Sequence, residues 1–221
     1  MKVKVFVFNP FQENTYVISD ENHNAAIVDA GCYNATEVAL IKRFVDDNEL
    51  KVKYFVNTHC HVDHLLGLNL LKSIYNVEAY AHSDDLPLLK TFPQQAMSFG
   101  FSVDKTPEID KIVADGNTLL LGDGSIGIIH TPGHTPGSIC LYLQNEKMLL
   151  TGDTLFYRSI GRTDLPGGSY DAIIRSITTK LSLWSSPTMW LFTPAMAKAL
   201  PLETNGEVTL SSRLKFFSNA L

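Results

Sequence analysis

No run of lysine or arginine occurs in this 221-residue chain, and 18 Lys+Arg are outnumbered by 23 Asp+Glu. A nucleic-acid surface needs clustered cations to displace condensed counterions, so no such partner is expected. Long hydrophobic runs are missing too: no segment approaches the roughly 18 apolar residues of a membrane span. The apolar start, MKVKVFVFNPFQEN, is interrupted by Lys4 and ended by Asn9-Pro10, which is too short for the core of a signal peptide. Cysteine is scarce. Cys32, Cys60 and Cys140 are an odd number and imply no disulfide framework. Together these absences predict a reduced, cytoplasmic protein with no membrane partner, and they leave the oligomeric state open. What remains, 45% hydrophobic and 19% charged residues without repeats or low-complexity linkers, is the composition of an ordinary globular domain.

Short β-branched or aromatic runs at 3–8, 15–18 and 25–28 are separated by turn-rich pieces and read as consecutive antiparallel strands. Asn34 then precedes a helical stripe of Val38, Ile41 and Val45, with Glu37 placed as a reciprocal cap. A buried strand follows at 52–56, helices at 65–75 and 85–89, strands between 118 and 151, and a helix at 171–181. Strands, helices, strands, helices is the order expected of two sheets packed face to face with helices outside.

His59-Cys60-His61-Val62-Asp63-His64 packs three histidines and one aspartate into six residues directly after the strand at 52–56. In an extended segment His59 and His61 project to one side and Cys60 to the other. Two imidazoles converging there can hold a zinc-like ion, and Asp63 with His64 can reach a second ion where the chain turns. Cys60 is a soft ligand by chemistry, but its position between convergent histidines favours a structural role. His134 lies in TPGHTPGS, a rigid turn that aims one imidazole outward; taken alone it reads as ligand or turn residue equally. Asp153, after the apolar strand ending at Leu150, is either a turn cap or a carboxylate that bridges two cations. Together the six residues supply the mixed His/carboxylate shell of a two-metal hydrolytic site.

THCHVDH, TPGHTPGS, TGDTLF and SIGRTDLPGG, in this order and spacing, resemble the metallo-β-lactamase superfamily, and within it the small glyoxalase II-like hydrolases. The resemblance covers about residues 9–181. It implies a four-layer αββα sandwich, with His59, His61 and His134 on one metal, Asp63 and His64 on a second, and Asp153 bridging. Arg162 and Asp164, in the GRTD stretch, are implied to form a supporting ion pair. Asp63 is also implied to orient an attacking hydroxide, making it the catalytic residue. Zn2+ at two positions suits these donors, and iron or manganese suits them as well.

The resemblance also implies one more histidine near the C-terminus, in a PGHG-like strand end, and His134 is the last histidine of this chain. Phe192-Thr193-Pro194-Ala195-Met196 occupies the matching place, so the second metal position is incomplete. After Asp171 there is no aspartate, after Gly168 only Gly206, and both tryptophans (Trp184 and Trp190) fall in this tail, where no periodicity is evident. Codons that encode residues 192–212 can, in a shifted frame, also spell YPGHGKGTTIGNEWRGNPFF, which is the absent motif in order and without gaps. The chain therefore divides into a hydrolase domain over 1–181 and a frameshifted tail over 182–221, with the last strand and helix altered.

The function implied is hydrolysis of a small-molecule thioester or related ester by a metal-activated hydroxide. A thioester suits because its thiolate, with a pKa of about 8.5, leaves without much help from an acid. Two alternatives stand beside it: a persulfide dioxygenase using one iron on His59, His134 and Asp153, or a chain impaired by its missing ligand. An RNA-processing nuclease shares HxHxDH, but the acidic balance opposes it; the TGD context of Asp153 opposes a β-lactamase.

Overall fold

A computed structural model of the chain describes residues 1–156, 159–181, 190–192 and 200–201. One sheet takes β1 (Lys2–Phe8), β2 (Glu13–Ser19), β3 (Asn24–Val28), β4 (Lys51–Val56), β5 (Glu78–His82) and β6 (Lys111–Val113) in that spatial order. Strands β1 to β3 pair antiparallel through short turns, whereas β3 to β6 are parallel. Parallel neighbours need long crossovers. These carry α1 (Ala35–Asp47), α2 (Leu68–Tyr75), α3 (Leu86–Leu89) and α4 (Phe92–Ser98).

The other sheet is built from β7 (Thr118–Leu121), β8 (Gly124–His130), β9 (Ile139–Leu143), β10 (Met148–Leu150), β13 (Trp190–Phe192) and β14 (Leu200–Pro201). A two-stranded hairpin of β11 (Leu155–Phe156) and β12 (Ser159–Ile160) precedes α5 (Tyr170–Arg175), which runs on as a wider turn over Ser176–Leu181.

Alternation along the strands explains the layers. Tyr16 and Ile18 of β2 and Ala26 and Val28 of β3 point between the sheets, where they meet Ile126, Ile128, Leu141 and Leu143. Val17, Ala25 and Ile27 point the other way and are covered by Ile41 and Val45 of α1 and Leu68 and Leu71 of α2. On the far side Cys140 and Leu149 lie under Ile173, Ile177 and Leu181. The result is an αββα sandwich.

Local differences from the sequence reading have physical reasons. Asn34 caps α1 by accepting from Glu37 N at 3.0 Å, but the Glu37 carboxylate takes the N–H groups of Tyr33 (2.7 Å) and Asn9 (3.2 Å) instead of returning to Asn34. It thereby ties the β1–β2 turn to the helix start. The helix expected from residue 65 begins at Leu68, because Val62–His64 forms a separate tight turn. Helix α4, with proline in its first turn, is an addition to the expected elements. In the tail, Trp190–Phe192 forms a strand after all, parallel to β10 with Leu150 opposite Phe192. The expected frameshift and altered helix otherwise lie outside the described residues. No described helix is long and apolar enough to cross a membrane, and the three cysteines are free and buried.

Asp110 fastens the start of β6. Its carboxylate accepts from Ala79 N at 2.7 Å and from Lys72 Nζ at 2.5 Å. Burial works to raise its pKa, yet the bonds from Lys72 and Ala79 outweigh burial and hold it below the usual carboxylate value. A depressed folded-state pKa contributes stability above the unfolded pKa of about 3.9, which is lost as pH falls through the folded value. Asp110→Asn is therefore expected to lower the urea midpoint at pH 7, with the gap to the parent closing below about pH 4. Equal gaps at pH 7 and pH 3 would contradict this.

Candidate metal centre

The site begins where β3 and β4 end side by side. Asp29, just past β3, accepts from Thr58 N (2.7 Å) and Thr58 Oγ1 (2.6 Å), which fixes the chain as it leaves β4. Thr58 Oγ1 lies 3.1 Å from His59 Nδ1. Because that hydroxyl proton is given to Asp29, His59 carries its proton on Nδ1 and turns the bare Nε2 toward the site. His134 is set the same way: its Nδ1–H donates to Arg162 O at 2.8 Å, leaving Nε2 free.

Three imidazole nitrogens then converge. His134 Nε2 is 3.2 Å from His59 Nε2 and 2.8 Å from His61 Nδ1. Two nitrogens held about 2.0–2.1 Å from one ion in a tetrahedral shell stand about 3.3 Å apart, so the cluster matches such a donor set. Burial first, and then the neighbouring imidazoles, depress the pKa of His59 and push that of His61 down to about 3. Both rings are therefore neutral lone-pair donors, which is the form a metal takes.

Asp153 stands between this group and a second. Its Oδ2 is 3.6 Å from His134 Nε2 and its Oδ1 is 3.6 Å from His64 Nε2, with Asp63 Oδ2 3.5 Å from the same His64 nitrogen. His64 Nδ1 rests 3.0 Å from Asp29 Oδ2. Burial opposes a charge on His64, yet Asp63, Asp29 and Asp153 together outweigh it and hold its pKa well above the ordinary value. The carboxylates thus demand positive charge at this point, and a divalent cation meets the same demand. His59, His61 and His134 form one set of candidate ligand atoms; His59, His64 and Asp153 form another.

Several residues that position the cluster were not read from the sequence. Asp85, fully buried at the start of α3, accepts from Cys60 N (2.8 Å), Gly137 N (2.6 Å) and Thr135 Oγ1 (2.9 Å). It therefore joins the THCHVDH loop to the TPGHTPGS turn, alongside a bond from Ile139 N to Thr58 O at 2.8 Å. Gly137 is needed for this approach, since a Cβ there would stand 2.7 Å from the Asp85 carboxylate. Glu13, buried beside the second group, has its Oε1 3.9 Å from His64 Nδ1 and without a hydrogen-bond partner. Only chain folding brings these residues near the histidines; the acidic Ser83-Asp84-Asp85 stretch looks in sequence like a helix cap.

Arg162 and Asp164 pair at the surface through two hydrogen bonds, Nε to Oδ1 (2.8 Å) and an Nη2 to Oδ2 bond (2.7 Å). Cys60 is buried among apolar side chains and its thiol is pushed well above its usual pKa by burial, so it does not face the ligand cluster as a thiolate. His82 and His130 stack 3.9 Å apart with planes 9° from parallel, near Asp84. Lone pairs of parallel rings do not converge, and each ring is already engaged, His82 Nδ1 with Asp84 N and His130 Nε2 with Pro136 O.

Residues 8–192 match the sequence profile described as Metallo-beta-lactamase superfamily. The chain belongs to this superfamily. Among its superfamily relatives, it is 37% identical over 188 residues to a hydroxyacylglutathione hydrolase, GloC, of Haemophilus influenzae, covering 82% of this chain and 84% of that one. A crystal structure of TTHA1623 in a di-iron-bound form superposes with a TM-score of 0.77 at 27% identity, covering 90% of this chain and 94% of the other. The BLEG-1 B3 metallo-beta-lactamase superposes with a TM-score of 0.79 at 24% identity over 97% of both chains, a likeness of fold. The superfamily is a metal-binding one, and the His/Asp groups of this chain are candidate ligands for such an ion.

A cavity of about 330 Å³ opens on the cluster. Asp63, His64 and Asp153 line it together with Phe11, Glu13 and Phe156.

Proposed function

We propose that this chain is a metal-dependent hydrolase of thioesters or related esters, glyoxalase II-like in its chemistry, built on a two-metal donor set whose second position is incomplete. The observation that carries the reading is the single carboxylate, Asp153, standing 3.6 Å from a histidine of each of two donor groups. The relationship to a hydroxyacylglutathione hydrolase supports the choice of thioester. His59, His61 and His134 would hold one ion, Asp63 and His64 the other, and Asp153 both. Zinc fits this His/carboxylate set, as do iron and manganese, and the di-iron relative supports the latter group.

When bound, two such cations lower the pKa of a shared water and polarise a carbonyl. The remaining work falls to the protein. Asp63, part exposed and lining the cavity, would orient the attacking water. Its backbone carbonyl is held by Asn9 Nδ2 at 3.0 Å, so the β1–β2 turn fixes its position. Thr58, held by Asp29, keeps His59 in the tautomer that faces the site, and the Asp29 carboxylate stands 3.0 Å from His64 Nδ1. The leaving thiolate needs no dedicated acid. A persulfide dioxygenase would need only His59, His134 and Asp153; the presence of His61, Asp63 and His64 in the same cluster favours the hydrolase. The cytoplasm, where thiols stay reduced, fits the three free cysteines.

The frameshift proposed for residues 182–221 gives the decisive experiment. The chain as it stands is expected to bind about one ion tightly by elemental analysis, and the frame-restored chain two. Thioester turnover should rise at least about 100-fold on restoration, as expected when one site of a two-metal clamp is completed. Two ions and full turnover in the unrestored chain would overturn the proposal that its second site is incomplete. Resequencing that finds no codons for the shifted motif would overturn the frameshift itself.

A further inference from the structure

The cavity above the metal cluster is continued outward by aromatic side chains. Phe11, in the β1–β2 turn, lines the cavity and is still 46% exposed. Its ring meets Phe99 edge-on, with centroids 5.1 Å apart at 90°, and Phe101 at 5.9 Å. Phe99 is 51% exposed and Met97 beside it 73%. Local chain geometry produces this arrangement. Helix α4 ends at Ser98, Gly100 turns the chain with φ +80, and Phe101 N returns to Ala96 O at 2.9 Å. That turn buries Phe101 against Tyr33, whose ring lies 4.7 Å away, and leaves Phe99 outside. On the cavity wall Phe156 supplies another aromatic face.

Contiguous exposed aromatics of this kind mark binding surfaces, and here the patch is continuous with the proposed reaction site. Charge points the same way. No lysine or arginine is among the described residues lining the cavity. Arg162, within electrostatic reach of His61, already gives its guanidinium to Asp164 through two bonds. Among the described lining residues a substrate carrying carboxylates, such as a glutathione conjugate, finds no cation, whereas an uncharged apolar group finds Phe11 and Phe156, with Phe99 against Phe11.

We infer that Phe11, Phe99 and Phe156 form an apolar subsite that seats an uncharged aromatic or branched group of the substrate. The preferred substrates are then apolar thioesters rather than glutathione conjugates. This rests on the hydrolase reading above and narrows its substrate class. The apolar group can belong to either end of the thioester, and the test separates the two.

The experiment uses the metal-loaded chain and four substrates. Phenylacetyl and acetyl thioesters of N-acetylcysteamine vary the acyl end, the acetyl thioester of benzyl mercaptan varies the thiol end, and S-lactoylglutathione is the charged comparison. At least one phenyl-bearing substrate should exceed S-lactoylglutathione about tenfold or more in kcat/KM. Phe11→Ala and Phe99→Ser should each erase about tenfold of that preference, mainly through KM, as expected for a lost aromatic contact. Both residues are half exposed, so the fold should survive, and Phe11→Leu should restore part of the preference. Calorimetric binding gives the same ordering without turnover, phenylacetate against lactate for the acyl end and benzyl mercaptan against glutathione for the thiol end.

Equal or better use of S-lactoylglutathione, or a preference unmoved by either variant, overturns the subsite and leaves the hydrolase reading standing. If the variants instead convert a dimer to a monomer in light scattering without changing preference, a second copy covers the patch and the subsite is again overturned. If neither this chain nor its frame-restored form hydrolyses a thioester or binds a product, the hydrolase reading fails and the subsite with it.

Discussion

In the frame-restored chain, Asp153→Asn is expected to cost about 10³-fold in thioester turnover, the several kcal/mol that paired Lewis acids contribute to a transition state. The size follows from its place. Each of its two oxygens stands 3.6 Å from a histidine of a different donor group, so an amide, with one acceptor and one donor end, serves one group and opposes the other. Bound metal should fall from two ions toward one by elemental analysis. Asp164→Asn, which lies on the surface and touches only Arg162 among its side-chain partners, is the control. Should Asp153→Asn keep both ions and more than a tenth of the turnover, the bridging role is wrong.

The second large effect concerns stability. Asp85→Ala removes the acceptor shared by Cys60 N, Gly137 N and Thr135 Oγ1. Thr135 Oγ1 keeps Ser138 Oγ at 2.8 Å, but the two buried N–H groups are left without a partner. Two such orphans cost about 2–5 kcal/mol. For a chain of this size that lowers the melting temperature by about 5–15 °C. The loop carrying His59 and His61 also loses its fastening to the turn carrying His134, so metal affinity should fall about 10- to 100-fold. Gly137→Ala attacks the same contact from the other side, through a Cβ 2.7 Å from the carboxylate. A melting temperature within 2 °C of the parent in both variants would remove Asp85 from this role.

What sequence reading could reach here depended on how local the signal was. THCHVDH announces itself because strand geometry and six consecutive residues suffice to converge two imidazoles. The order of strand-like and helix-like runs likewise pointed to two sheets with helices outside, since that order needs no knowledge of the partner strand. Asp29, Asp85 and Glu13 escaped notice because their roles exist only across distances of 25 to 52 residues, for example Asp85 to Cys60 and to Gly137. Helix α4 was missed because only Phe92 and Ala96 are buried, one turn apart, too short a stripe to stand out. The Glu37 cap was placed one partner away from its observed one, since the sequence does not reveal that Asn9 N also competes for the carboxylate.

The bond from Ile139 N to Thr58 O and the contacts of Asp85 cross from one sheet's loops to the other's. His59, His61 and His64 therefore belong to the first half of the chain, and His134 and Asp153 to the second. Neither half alone carries the whole candidate ligand set. An ion that bound both halves would act as a clasp on the sandwich: at concentrations 100-fold above its dissociation constant it adds about 2.7 kcal/mol to stability. The rate at which a chelator strips such an ion would then serve as a clock for how often the two halves part.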